Sequence, residues 1–394
     1  MVAVATFGAT IGAASLQRAD SLLSSRGRDI SAIDGSKDDD AAVAEPASSD
    51  DAPADPDASE ALNILIVGAD VRSGENAALG GYVDGSRADV TIILHISADR
   101  SRVEMVSIPR DTIVDIPSCE SFDGATSRSS TEKINAAFNK GYSFSETVEE
   151  GVACTSRTVT ALTGVDFDHQ FIAADFAGFK DMVDALDGVE MCIPYDMVSE
   201  KAELDLSAGY QRLDGTQALS LARARYGLDD GTDLMRIQRQ QELIKAILRK
   251  ALSINAFTDP GVLTGFVNAA ASSLTMSTEL GSLSFDLGLL YSIRDLDVDD
   301  MTMLTAPWAY DAQGQVHLTS QADSVWQAII DDTPLSDVGS TNPDNATFEA
   351  ADPATIAPDP ADDEALKYLP IPPESAYVTA ATSQAAVEAA CVTG

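Results

Sequence analysis

A layered α/β fold, with a central sheet flanked by helices, is predicted for the middle of this 394-residue chain from three observations. Leu62–Val67 (LNILIV) is a nearly continuous apolar run ending at Gly68, as expected for a strand covered on both faces. Two more apolar runs, Asp89–Ser97 and Arg102–Ile108, flank a polar turn at 98–101 and read as a hairpin of central strands. Downstream, helix-period segments alternate with short strand-like runs, an order that buries a sheet beneath helices.

In chain order, Ile134–Tyr142, Ser145–Leu162 and Asp175–Leu186 carry apolar residues at helical spacing, with strands near His169–Ala173 and at Val189–Ile193. Gly215–Arg225 and Asp233–Leu252 are the next predicted helices; Leu234, Ile237, Ile244 and Ala251 mark the buried stripe of the second. Helices are also predicted over Val262–Met276, Ser284–Ile293 and Gln321–Ile330, around a strand at Met301–Thr305.

Composition sets the limits. Hydrophobic residues make up 45% of the chain, enough for a sizeable core, while 25 Lys+Arg against 63 Asp+Glu give a net charge of −38. Such an acidic chain cannot neutralise phosphates along its surface, so nucleic acid is excluded as a partner. The charge is concentrated in Asp34–Glu60 and Asp331–Glu364, rich in Asp, Ala, Pro and Ser, which read as solvated spacers. Residues 1–17 are uncharged and largely apolar but short for a spanning helix. They are read as the remnant of a membrane anchor, with a secretory signal or a buried Ala/Gly-rich helix as alternatives. The expected division is an anchor remnant at 1–17, an acidic linker at 18–60, a folded domain at 61–330 and an acidic, Pro-rich tail at 331–394.

Several familiar signatures are absent: a GxxxxGK[ST] phosphate loop, a GxGxxG after the first strand, a GxSxG elbow and an HExxH pair. Asp295, Asp297 and Asp299 resemble the start of a calcium loop, but Asp300 stands where Gly is needed and Ala306 where Glu is needed. What remains is charge at strand ends: Asp70 and Arg72 after the first strand, Arg87 and Asp89 at the start of the second, Arg110 and Asp111 after the third. Strand ends are where α/β sheets hold ligands. Any one of these alone reads as a surface ion pair; three together point to a site. Further on, Arg223 and Arg225 are spaced to face one side of an extended segment, and Asp233, Arg236 and Gln240 form one stripe of a helix. An ordinary amphipathic helix with salt bridges is the alternative there. Combined, the residues suit a diphosphate. Magnesium takes one or two carboxylates plus phosphate oxygens, as Asp70 and Asp89 would supply, and arginine forks bind phosphate in bidentate fashion. Phosphoryl transfer relies on positioning and charge stabilisation, so the missing nucleophile triad is no obstacle.

Seven ordered segments carry a family resemblance: NILIVGADVR, RADVTIILHI, VEMVSIPRDTIVDIP, KINAAFNKGY, DFAGFKDMVDALDGVEMCIP, LDGTQALSLARARYG and DLMRIQRQQ, from Asn63 to about Leu252. This stretch resembles the LytR–CpsA–Psr (LCP) family of cell-wall ligases. The resemblance implies an α/β/α domain with a central mixed sheet and an apolar tunnel for a lipid tail, held outside the cell membrane by a single N-terminal helix. It implies a magnesium-dependent phosphotransferase that moves a glycopolymer phosphate from a polyprenyl diphosphate carrier to a hydroxyl on peptidoglycan or a surface glycoprotein. By position, Asp70 and Asp89 match the family's metal-binding acids, Arg110, Arg223 and Arg225 its diphosphate-binding arginines, and Asp233, Arg236 and Gln240 its second polar cluster. Arg72 and Arg87 join them as substrate-binding candidates. Tunnel-lining candidates are Val90, Ile92, Leu94, Val103, Met105, Ala137, Phe138, Phe171, Phe176 and Phe179. One departure is that Ala88 and Val90 stand beside Asp89 where the family commonly has Thr or Ser. A non-catalytic binder of polyprenyl-linked glycan and a polyprenyl diphosphate hydrolase are the competing functions.

An exported location suits the cysteines, scattered at 119, 154, 192 and 391. Four cysteines admit three pairings. The expected ones are Cys119–Cys154, bracketing the loop at 118–130, and Cys192–Cys391, fastening the tail, with four free thiols as the alternative.

Overall fold

The computed structural model describes residues 20–35 (without 22 and 26), 55, 59–70, 86–224, 233–253, 273–293 and 296–338. In chain order the strands are β1 (Gly27–Arg28), β2 (Leu62–Asp70), β3 (Arg87–Ile96), β4 (Val103–Ser107), β5 (Ile113–Ile116), β6 (Ser130–Lys133), β7 (Phe171–Ala174) and β8 (Val189–Ile193). There follow β9 (Met197–Ser199), β10 (Leu204–Leu206), β11 (Gly209–Leu213), β12 (Leu274–Ser277), β13 (Thr302–Thr305), β14 (Trp308–Tyr310) and β15 (Val316–Leu318). The helices are α1 (Ser31–Asp34), α2 (Ala136–Ser145), α3 (Val148–Thr163), α4 (Phe176–Ala185), α5 (Gly215–Arg223), α6 (Asp233–Leu252), α7 (Leu283–Ser292) and α8 (Gln321–Ile330).

A mixed seven-stranded sheet, ordered β1-β12-β7-β2-β3-β4-β13, forms the middle layer. β2, β3 and β4 run antiparallel in sequence, while β7 lies parallel to β2 and β13 parallel to β4. Leu65, Val67 and Ala69 of β2 enter a core shared with α2, α3 and α8, whereas Leu62 and Ile64 face the other way, toward Met276, Phe285 and Leu289. Burial on both faces is why the β2 sequence shows no polar alternation. α2 and α3 pack closely enough that a Cβ on Gly141 would overlap the Glu150 carbonyl. The Cys119–Cys154 disulfide ties the loop after β5 to α3. Cys192 is disulfide-bonded as well; Cys391, expected as its partner, lies outside the described residues.

The layer that closes the site is built from α4, α5 and α6 with the ribbons β8/β11 and β9/β10, around Val183, Leu186, Ile193, Leu213, Leu221 and Leu243. The Asp175 carboxylate accepts from the Gly178 amide to cap α4, and Asp214 with Gln217 forms a reciprocal capping box at the start of α5. α5 ends at Arg223, because Ala224 already has extended backbone (φ −61°, ψ 128°).

Three expectations are corrected. Leu274–Met276, placed by sequence in the helix Val262–Met276, belongs to strand β12, paired with β1 and β7; residues 262–272 of that prediction lie outside the described residues. Leu274, Thr275, Met276 and Ser277 alternate apolar with polar, but four residues are too few for a period to separate strand from helix. Residues 27–35, assigned to the acidic linker, belong to the fold. Ile30 and Ile33 are buried in the main core, Arg157 donates to the Ile33 carbonyl at 3.1 Å, and His169 Nδ1 lies 2.9 Å from Asp34 Oδ2. Asp55 of the same stretch pairs with the buried Arg100 at 2.7 Å. On the other side, Arg102 Nη2 donates to Asp332 at 2.6 Å and the Leu335 amide to Glu104 at 2.9 Å, so ordered packing continues past Ile330 to Val338. Composition reports average solvent preference; a few apolar or paired side chains are enough to dock such a segment. The anchor expected at 1–17 lies outside the described residues, and among the described residues no helix is long and apolar enough to cross a membrane.

Candidate functional site

From Leu62↔Ile96 to Gly68↔Val90 the β2–β3 register is constant; then Ala69 pairs with Ala88 and Asp70 with Arg87. Asp89 is therefore the extra residue of a β-bulge. A bulge bends the strand and re-aims its side chains. Asp89 and Val90, which strict alternation would send to opposite faces, both line one cavity. Gly68 permits the close approach, since a Cβ there would sit 2.9 Å from the Val90 Cβ.

That cavity, about 600 Å³, lies between the sheet and the α4–α6 layer. Ile66, Ile92, Leu94 and Met105 form its sheet wall, Phe176 and Phe179 its α4 wall, and Leu243 and Ile247 its α6 wall. Polar and apolar lining is segregated along each element. On β3, Asp89 precedes Val90, Ile92 and Leu94; on α6, Arg236 and Gln240 precede Leu243, Ile244, Ile247 and Leu248; on α5, Leu219 precedes Arg223.

The charged groups interlock. Arg110 Nη1 donates to Asp89 Oδ1 at 2.5 Å, and its Nε lies 3.7 Å from Asp111. The Arg223 guanidinium lies over the Phe176 ring, 4.7 Å from its centroid, a cation–π contact that leaves the fork's edge for hydrogen bonding. Gln240 Nε2 donates to the Ala222 carbonyl at 3.0 Å and Arg239 Nη2 to the Ala224 carbonyl at 2.6 Å, so α6 grips the chain on either side of Arg223. Gln241 fastens the same helix to the sheet through the Leu304 carbonyl at 3.2 Å.

Five of the residues expected from sequence thus come together: Asp89, Arg110, Arg223, Arg236 and Gln240. Arg87 is exposed at the start of β3 and does not line the cavity. Asp70 ends β2 and Asp233 opens α6, but their side chains, together with Arg72 and Arg225, lie outside the described residues. Of the residues expected to line a lipid tunnel, Val90, Ile92, Leu94, Met105, Phe176 and Phe179 line this cavity. Ala137, Phe138 and Phe171 lie instead in the main core, and Val103 packs in the cluster around Leu62. Composition cannot separate a wall from a core, because both select the same side chains. Arg239 and the Phe176 ring under Arg223 were not foreseen. The first sits inside the DLMRIQRQQ segment, one position from Gln240, and only a partner across the fold reveals its part. Among the described residues no group of three or more His, Cys, Asp or Glu could hold a metal ion by itself. A cation here would rest on one or two carboxylates and complete its shell with ligand oxygens, as magnesium does.

Residues 29–328 match the LytR_cpsA_psr family. The chain is 32% identical over 220 residues to the probable cell wall biosynthesis protein LcpB of Corynebacterium glutamicum, covering 54% of this chain and 48% of that protein. It is 29% identical over 200 residues to the polyisoprenyl-teichoic acid–peptidoglycan teichoic acid transferase TagU of Enterococcus faecalis, covering 51% of this chain and 57% of that one. The chain thus spans about half the length of these relatives. Among solved structures, the LytR-Csp2A-Psr enzyme from Actinomyces oris has the same fold, with a TM-score of 0.52 at 20% identity over 71% of this chain and 96% of that one.

Proposed function

This chain belongs to the LytR_cpsA_psr family, and from that premise we propose that it is a phosphotransferase that moves a glycopolymer phosphate from a polyprenyl diphosphate carrier to a hydroxyl of peptidoglycan or a surface glycoprotein. The observation that carries this reading is the junction of Asp89, Arg110, Arg223 and Arg236 with an apolar cavity, an arrangement suited to a ligand that is a diphosphate at one end and hydrocarbon at the other. The isoprenoid tail would occupy the space among Ile92, Leu94, Phe179 and Ile247, where burying each CH₂ is worth roughly 0.8 kcal/mol. Arg110 and Arg223, with Arg225 two residues on, would spread their guanidinium donors over the diphosphate oxygens.

In the reaction the acceptor hydroxyl attacks the glycan-bearing phosphorus, a new P–O ester bond forms, and the diphosphate bridge breaks to release polyprenyl phosphate. Negative charge grows on the leaving phosphate, where fixed guanidinium groups beside an apolar cavity stabilise it most. Asp89, with Asp70 at the end of the neighbouring strand, is the proposed seat of Mg²⁺, which would add positive charge at the same oxygens. A membrane-tethered catalytic domain outside the cytoplasm accords with the Cys119–Cys154 disulfide, since such bonds persist in oxidising compartments.

The test is incubation of the purified protein with a polyprenyl diphosphate-linked glycan, Mg²⁺ and a peptidoglycan acceptor. Transfer is expected from the native chain, is abolished by EDTA, and falls at least about a hundredfold in Asp89→Asn and in Arg223→Ala. Release of glycan phosphate into water identifies a hydrolase instead, and lipid binding without turnover identifies a carrier.

A further inference from the structure

We propose that Trp308 and Tyr310, on the hairpin β14–β15, form a stacking platform for a neutral pyranose ring of the acceptor glycan. This rests on the transferase reading above for the identity of the acceptor, but not for the binding of a sugar. β13 and β4 are parallel neighbours with Thr305 opposite Ser107, and the Ala306 amide donates to the Ser107 carbonyl at 2.8 Å. Trp308 and Arg110 each lie three residues beyond that pair, so both leave the sheet at the same edge. The two segments meet again where Val316 of β15 bridges Thr112, two residues after Arg110. The hairpin therefore flanks the turn that carries the diphosphate-site arginine.

Trp308 and Tyr310 alternate onto one side of β14, with ring centroids 4.9 Å apart and planes at 81°, and Tyr310 is 62% exposed. The edge-to-face contact steadies the exposed Tyr310 ring, and the axial C–H face of a sugar suits such an aromatic. The patch is too small to dock a protein through apolar contact alone. Its neighbour Asp311 carries a carboxylate that accepts from the Gln313 and Gln315 amides at 2.9 and 2.8 Å and pairs with His317, which holds the hairpin tip rigid and disfavours a phosphate there. A neutral sugar, which needs an aromatic surface and no positive counter-charge, fits both features.

The chain's two tryptophans are Trp308 and Trp326, and Trp326 is buried at 3% exposure in the main core, out of reach of an added sugar, so a sugar-induced change in fluorescence reports on Trp308. Titrating the full chain with chitotetraose, a neutral chain of N-acetylglucosamine, should give a saturable change that survives Trp326→Phe. Tyr310→Ala should weaken binding about tenfold and Tyr310→Phe should leave it near the native value. In transfer assays Tyr310→Ala should raise the acceptor KM by a similar factor with the donor KM unchanged. A native chain with no saturable response, or a Tyr310→Ala variant that binds chitotetraose like the native chain, overturns the platform. A rise in donor KM instead overturns its assignment to the acceptor and places the donor's sugar there. Chitotetraose binding in a protein that transfers nothing would sink the transferase reading and leave the sugar site standing.

Discussion

Asp89 owes its place to a single inserted residue: without the bulge its side chain would leave β3 on the face opposite Val90. Sequence reading found the acid but had no means of finding the bulge, because the missing pairing partner is a property of two strands. Arg223 shows the same division. Its charge is written in the ARAR segment, whereas the Phe176 ring that orients it is contributed by α4. Arg223→Lys keeps the charge but loses both fork and stacking geometry; kcat should fall at least about tenfold with the melting temperature nearly unchanged, as measured by transfer assay and thermal denaturation. At the start of α7, burial raises the Asp286 carboxyl to about 7. Its neutral form is favoured in the folded state, so the stability it supports is complete below the ordinary carboxylate range near 3.8 and is lost as pH rises through 7. Asp286→Asn should therefore stabilise the protein at pH 8.5 and change little at pH 4, which denaturant titrations at the two values would show.

Helices α5 and α6 work as a pair. Gln240 and Arg239 hold the Ala222 and Ala224 carbonyls, so the last turn of α5 cannot rotate Arg223 away without breaking two hydrogen bonds. Arg239→Ala should lower kcat about tenfold while leaving lipid binding in the cavity intact, and Arg239→Lys, which still reaches the carbonyl, should recover part of the loss. The N-terminal segment is docked by a titratable contact. Burial opposes the charge on His169, yet the Asp34 hydrogen bond and the carboxylates of Asp34, Asp168 and Asp29 outweigh it and raise its pKa above 6.5. Stability from that pair is fully present below the unfolded pKa and fades as pH rises through the folded one. The difference in melting temperature between the native chain and His169→Gln should be largest near pH 5.5 and shrink toward pH 9. Most elements were legible: strands β2 to β4 and helices α4, α6 and α8 fall within a few residues of their sequence boundaries, because each is long or strongly patterned. β12 was not, being a short run whose state is set by the strands on either side.

Across the whole molecule, stability is shared between the layered core and a few long-range ties. The Cys119–Cys154 bond closes a loop of 35 residues, and its removal by Cys→Ala substitution at both positions should cost about 4 kcal/mol in a denaturant titration through the freed entropy of the unfolded chain. Arg100 with Asp55, and Arg102 with Asp332, fasten the two acid-rich segments that flank the domain. Half of the net charge of −38 belongs to those segments and their continuations, whereas at the site arginines gather against the sign of the chain.

By itself the sequence determined the layered α/β class, the family to which its ordered motifs belong and the residue types a diphosphate site requires, since each is local in composition, period or spacing. Only the tertiary structure decided which apolar side chains line the cavity and which fill the core, how far the flanking segments join the fold, and that β14–β15 stands beside Arg110. Those outcomes depend on strand register and on which layers meet, and neither is a property of any one stretch of chain.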